Sequence, residues 1–381
     1  MATIELQLSP TIIKWIASTQ GVTTKHLAET LTPKKPHKLL AGEVSKSVAE
    51  KLAKLAGIPF GYLFLDKPPE IDEPQIPDFR KTINNISLSK NFFDTYHDIQ
   101  YKTEWYREYL KESGLDKKPS FIGRYTINSS VFEVSNDITE TLNFDVSKII
   151  KKVTLSSYFG VVTKLIENAG ILVFKNSLVG NNPHRKLDVT EFRGFSIVDD
   201  IAPVVFVNGA DTFSAQVFTL FHEVAHIWIG KGGISDWDYE NKVESFCNKV
   251  AAEILMPTRL FQELWSSEKK SGIDDIHAIN NVAKTFRMSN YAAAIKAKNT
   301  ELIDDNVFLE VKKTSLSGTK NTKKNNGGDP FNIIPYRNSP KITDTVLSYA
   351  MAQKIPLREA GNLLNVKADT VINLYRKRTF K

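Results

Sequence analysis

The sequence predicts an α+β protein, in which a small mixed sheet meets two chemistry-bearing helices and helical domains flank this core on both sides. Three observations predict it. From residue 156 to 230, short apolar or alternating runs (ILVF, RGFSI, APVVFVN) are interleaved with amphipathic helical stretches. Residues 218–230, FTLFHEVAHIWIG, set His222, Glu223 and His226 inside an apolar run of helical length. Residues 9–65 and 340–378 carry the helical period alone.

A chain of 381 residues is long for one core and points to two or three domains. The opening MATIELQLSP has no basic stretch followed by an apolar one, so no signal peptide is expected. No run reaches the roughly 18 apolar residues of a membrane span. The single cysteine, Cys247, excludes an intramolecular disulfide and suits a reducing cytoplasm. The net charge of +7 is compatible with nucleic acid or an acidic protein as partner. Five of those charges are the lysines of residues 312–328, KKTSLSGTKNTKKNNGG, which reads as a flexible basic linker, so the charge is no independent sign of DNA binding.

Taken in order, residues 1–66 form a helical domain. Ser9 caps a helix with Pro10 at its first position, closed by Gly21; Thr23 or Thr24 caps TTKHLAETL; SVAEKLAKLAG ends at Gly57. Between them, Pro33 and Pro36 in LTPKKPHKLLAGE argue against a full, regular helix. Lys34, Lys35 and Lys38 are the candidate phosphate contacts, with a solvated basic loop as the alternative. Residues 67–155 open as a proline-rich junction in extended conformation and continue as a helical connector. In the connector, Phe93, Tyr96, Ile99, Trp105 and Tyr109 mark the core face of a helix, and His97 reads as structural.

Residues 156–265 form the core. SSYFGVVTKLIENAG is a helix ending at Gly170, followed by the three short strands; Asp211 or Thr212 caps the HExxH helix, and Gly230, Gly232 and Gly233 stop it. Its apolar residues surround it almost completely, which predicts burial against the sheet. Residues four apart share a helix face, so His222 and His226 converge on one cation while Glu223, to the side, reaches a water. Chance order would give roughly 0.007 such motifs in a chain of this composition, so the functional reading leads over a buried structural pair.

Two imidazoles need a third protein ligand. Residues 239–257, YENKVESFCNKVAAEILMP, predict a helix whose apolar stripe is Val243, Phe246, Cys247, Val250 and Ile254. With Val243 at zero, Glu244 falls at about 100° and Glu240 at about 60°, while Glu253, at about 280°, lies on the other side of the stripe from both. Spacing alone leaves Glu240 and Glu244 both open.

The order RGFSI, APVVFVN, FTLFHEVAH and ESFCNKVAAEILMP resembles the ImmA/IrrE family of metallo-endopeptidases. The resemblance extends to LFLDKPPE and IPDFR (residues 63–80), to GGDPFN (327–332) and to the final helices; residues 82–155 it does not place. It implies a zincin-like metalloprotease core, Glu244 as third ligand with His222 and His226, Zn2+ as cofactor, and Glu223 as catalytic base. Asn248, one turn beyond Glu244, would support the ligands, and Cys247 would pack. For the oxyanion, His184, Arg193, Tyr239 and His277 are candidates by residue type alone. Residues 9–65 resemble an XRE-type helix-turn-helix domain, which the family often carries in front; the proline-bearing loop departs from it where the recognition helix belongs.

After the core, residues 266–311 read as a helical, weakly helix-turn-helix-like segment with a turn at Arg287-Met288-Ser289. Residues 329–381 read as a C-terminal helical module with Gly361 as a helix stop and a basic end, suited to a partner. Two functions follow. One is a cytoplasmic zinc endopeptidase that cleaves a specific repressor or antitoxin-like regulator in a mobile-element, stress-response, toxin–antitoxin or phage-defence setting, a partner class implied by the resemblance alone. The other is a DNA- or protein-binding transcription regulator or antitoxin that uses the metallopeptidase fold as scaffold. Glu223 favours the first, since a scaffold has no chemical need of that carboxylate.

Overall fold

The ordering of the chain follows from where its apolar residues can be buried. The computed structural model describes residues 5–19, 22–56, 58, 60–68, 88–235, 242–317 and 329–379. They group into two units, residues 1–75 with 87–93, and residues 76–86 with 94–381.

In the first unit, β1 (Glu5–Gln7) pairs antiparallel with β2 (Glu43–Ser45), enclosing α1 (Pro10–Thr19), α2 (Thr24–Leu31) and α3 (Pro36–Leu40); α4 (Lys46–Ala56) and a 3₁₀ turn (Phe60–Phe64) follow. Thr23 is the cap of α2, its hydroxyl accepting from the His26 amide. Leu8, Ile12, Ile16, Leu27, Leu39, Leu52 and Leu63 fill the core. The proline argument against a regular third helix agrees with the structure: α3 has only five residues, with Pro36 in its first turn. Lys34 and Lys35 are exposed, whereas Lys38 already serves Glu5 (2.7 Å) and Glu43 (3.5 Å). The stops expected at Gly21 and Gly57, and most of the proline-rich junction, lie outside the described residues.

The second unit runs α5 (Lys90–Glu112, its first turn grouped with the first unit), α6 (Val131–Thr141), α7 (Val146–Ile149), α8 (Leu155–Asn168), β3 (Leu172–Asn176), β4 (Gly194–Ile197), β5 (Val204–Asn208) and α9 (Phe213–Trp228). It continues with β6 (Gly233–Ser235), α10 (Lys242–Leu255), α11 (Thr258–Lys270), α12 (Asp275–Phe286), α13 (Asn290–Asn299) and α14 (Asp305–Ser317). The C-terminal module is α15 (Pro330–Arg337), α16 (Pro340–Met351), α17 (Leu357–Leu363) and α18 (Ala368–Thr379). The expected α+β class with a small mixed sheet stands: the strand order is β3-β5-β4-β6, with β3 parallel to β5 and the other pairs antiparallel.

The sheet faces α9, which is buried from Gln216 to Trp228. Thr212 caps it, its hydroxyl accepting from the Ala215 amide. One cluster of buried side chains extends from Phe121 to Val311, so α12, α13 and α14 share the core of α9 and α10. The connector that sequence could not place closes the far end of α9. Gly123 N donates to Ile227 O (3.1 Å), Tyr125 N to Trp228 O (3.1 Å), and Phe121 stacks on Trp228 at 4.3 Å between centroids.

Two expectations need correction. Residues 312–317, assigned to a flexible linker, are the last turns of α14, because Val311 is buried in the core and anchors the helix that carries them; residues 318–328 lie outside the described residues. Gly361 does not stop a helix. It sits inside α17, where a Cβ would stand 2.7 Å from the Val366 carbonyl oxygen, and the reversal is made by Asn365 at φ 54°.

Candidate metal centre

Two helices bring three side chains to one point. Thr212 starts α9 in a register that turns His222 and His226 toward α10, and α10 begins at Lys242, so that Glu244 lies in its first turn. His222 Nε2 and His226 Nε2 are 3.1 Å apart; Glu244 reaches them at 3.0 Å through Oε2 and at 3.2 Å through Oε1. His226 and Glu244 are fully buried and His222 is 3% exposed. A tetrahedral zinc site with bonds of about 2.05 Å sets its ligand atoms about 3.3 Å apart. Each of the three separations is close to that edge length, and one ligand atom from each residue lies within 4.8 Å of the others, so the residues fit a metal ion. Among the described residues, His222, His226 and Glu244 are the group able to hold one.

The tautomer is also set. The Lys231 carbonyl lies 2.8 Å from His226 Nδ1, and since a carbonyl only accepts, Nδ1 carries a hydrogen, which leaves Nε2 as the nitrogen that would serve a metal. Gly230 makes this possible: its φ of 67° turns the chain back beneath the ring. Burial alone would raise the Glu244 carboxyl, but its hydrogen bonds with His222 and His226 reverse that and pull it down to about 2. For His226 burial opposes the charge, and Cys247 and Glu244 beside it outweigh that and hold the imidazole well above its usual range. Burial pushes the Cys247 thiol up, which suits the packing role expected of it.

Glu223 is fully buried. Its carboxylate lies against β4, where a Cβ on Gly194 would stand 2.8 Å from Oε1. Sequence reasoning missed Gly194, although the signal was present as the glycine that opens the RGFSI strand. It also missed the Lys231 carbonyl, which no side-chain motif can announce.

The other candidates separate. Asn248 is buried one turn beyond Glu244, and its amide makes no hydrogen bond among the described residues. Glu240 and Tyr239 lie outside the described residues. Glu253 bonds Thr258 and Lys296. Arg193 is paired with Asp211 (2.5 Å), His277 is held by Asp274 (2.7 Å) on the surface, and His184 is exposed. No helix among the described residues is long and apolar enough to cross a membrane.

Comparison with known proteins bears on this same region. No curated protein and no solved structure matches the chain. Residues 166–298 match the family model Peptidase M78, described as the IrrE N-terminal-like domain, and they contain His222, Glu223, His226 and Glu244. That match supports, for this segment, a metallopeptidase of the ImmA/IrrE type.

Proposed function

We propose that the protein is a zinc-dependent endopeptidase with a zincin-like core, and that its substrate is a regulatory protein of the repressor or antitoxin-like kind. The observation that carries this reading is the buried convergence of His222, His226 and Glu244 with Glu223 on the next helical position. In it, His222 and His226 would hold the metal through Nε2 and Glu244 through a carboxylate oxygen. Zinc held there would lower the pKa of a water towards about 7 and polarise the scissile carbonyl.

The remaining work belongs to the chain. Glu223 takes the proton from the attacking water and returns it to the leaving amine, so the bond broken is the peptide C–N and the products are a carboxylate and an amine. Gly194 sets the place of that carboxylate. The Lys231 carbonyl keeps His226 in the coordinating tautomer. The buried setting excludes bulk water and strengthens each of these interactions.

Metal analysis tests the ligand set. About one zinc per chain is expected, lost in His222→Ala and Glu244→Ala and kept in Glu223→Gln; a metal-free parent protein overturns the assignment. For catalysis, incubation with the product of a neighbouring gene should give a defined cut that Glu223→Gln abolishes. A scaffold or antitoxin role is favoured only if cleavage is absent while zinc is bound.

A further inference from the structure

Several helices of the second unit are joined by a reversal of three or four residues with one residue in the left-handed region, α6–α7 at Asn143, α11–α12 at Gly272, α12–α13 and α17–α18 among them. Between α12 and α13, Arg287 stands at φ 61° and Ser289 caps the next helix. Between α17 and α18, Asn365 stands at φ 54° and α18 begins at Ala368. A tight turn of three or four residues with one residue in the left-handed region is the join of a helix-turn-helix unit. Between α17 and α18 the packing is closer still: Gly361 lets the body of α17 press on the Val366 carbonyl, and Ala360, Leu363, Leu364, Val371 and Leu374 are fully buried.

The two pairs differ in what becomes of the second helix. α13 is covered. Ala293, Ala294, Lys296 and Ala297 are buried, Lys296 is tied to Glu253 at 2.5 Å, and Tyr291 stacks on Phe308 of α14. α18 spends only Val371 and Leu374 on the core and presents Asp369, Asn373 and Arg376 to solvent, with Lys367 just before it and Arg358 on α17. Among the described residues Lys367, Arg358 and Arg376 make no ion pair, whereas Lys377 and Arg378 are paired with Asp329 and Asp344. Residues 340–379 hold seven Lys and Arg against three Asp and Glu.

We propose that α17 and α18 form a helix-turn-helix that lays α18 in the major groove of duplex DNA. Asn373 and Arg376 would face base edges, where an amide suits adenine and a guanidinium guanine, and Lys367 and Arg358 would meet phosphates. The unpaired positive side chains supply the charge complementarity, and an exposed helix fits the B-form groove and not the deep, narrow groove of A-form RNA. The inference does not depend on the metal centre.

Fluorescence anisotropy of the full chain with a 30-bp mixed-sequence DNA duplex tests it. The parent should bind at low salt. Changing Lys367→Ala with Arg376→Ala should weaken binding at least tenfold and lower the slope of log affinity against log salt by about 1, the share of the phosphate-facing Lys367. Both side chains are exposed, so the melting temperature should match the parent. A Lys34, Lys35 and Lys38 to Ala triple variant should bind as the parent does. The proposal is overturned if the parent binds no duplex DNA, if double-stranded RNA binds as tightly, or if binding follows the triple variant and not the double one. The last outcome would assign DNA to the first unit; absence of all nucleic-acid binding would leave α18 to a protein partner.

Discussion

The Cα of Gly194 on β4 lies against the carboxylate of Glu223 on α9. A Cβ at 194 would stand 2.8 Å from Glu223 Oε1, 2.6 Å from Thr219 Cγ2 and 2.8 Å from the Phe206 carbonyl. One of these neighbours is backbone, so the crowding cannot be relieved by side-chain rotation alone. Gly194→Ala should destabilise the fold by about 1–3 kcal/mol and displace the proposed base. Proteolysis should fall at least tenfold while zinc content stays at the parent level. Equal turnover in parent and variant would remove Gly194 from the machinery.

Gly230 acts on the ligand side of the same helix. Its φ is 67° and a Cβ there would meet Gly123 Cα at 3.0 Å. Gly230→Ala therefore combines a left-handed backbone with a collision, at about 1–3 kcal/mol, and shifts the Lys231 carbonyl under His226. Loss of such an outer hydrogen bond to a ligand histidine weakens metal binding about 10–100-fold. Zinc competition with a chromophoric chelator reads this directly; unchanged affinity would show that the carbonyl is dispensable.

Metal and proton compete for the centre. In the metal-free protein His226 is held well above its ordinary 6.5, so its contribution to stability is full below that pH and lost as pH rises through the folded value. Glu244, pulled down from 4.5 to about 2, contributes above 4.5 and loses that contribution as pH falls towards 2. Zinc must displace the imidazolium proton, so its affinity should rise with pH near neutrality. Titration calorimetry in two buffers of different ionisation enthalpy should reveal protons released on zinc uptake. Identical apparent enthalpies would contradict the protonated centre.

A second pH-sensitive contact joins α8 to α16. Burial raises the Glu167 carboxyl from 4.5 to about 7, against the opposing hydrogen bonds from Ser339 Oγ (2.5 Å), the Val173 amide and the Lys341 amide (3.0 Å). A carboxyl raised in the fold contributes stability that is full below 4.5 and lost as pH climbs through about 7. Hydrogen exchange in α16 should therefore quicken between about pH 5 and 7 more than the intrinsic rate does, and Glu167→Gln should remove the excess. A parent protein whose protection factors stay constant across that range would refute the coupling.

Much of the metal centre was legible because its parts are local. His222 and His226 are one helical turn apart, Thr212 is a cap adjoining its helix, and the stripe of α10 limits which carboxylates can look inward. Choosing Glu244 over Glu240 needed the family resemblance, since both flank the stripe. What escaped the sequence is tertiary. Gly194 and the Lys231 carbonyl matter only through what they touch. Gly361 reads as a stop by its residue type, yet its missing side chain serves a close approach inside a helix. The three-residue strands β1 and β2 are too short for any period, and residues 312–317 extend a helix whose anchor, Val311, lies before them.

The backbone hydrogen bonds from Gly123 and Tyr125 to the carbonyls of Ile227 and Trp228 have a kinetic consequence. They complete the helical turn that carries His226 with a segment roughly a hundred residues earlier in the chain, and contacts of that separation form slowly because a long loop must first close. Glu244, the proposed third ligand, arrives from the other direction, after β6. Neither histidine holds its final orientation on local structure alone, so the cluster of His222, His226 and Glu244 is expected to assemble late in the folding of the second unit. An ion that binds there would then meet a nearly finished protein and would not act as the nucleus around which the chain collapses.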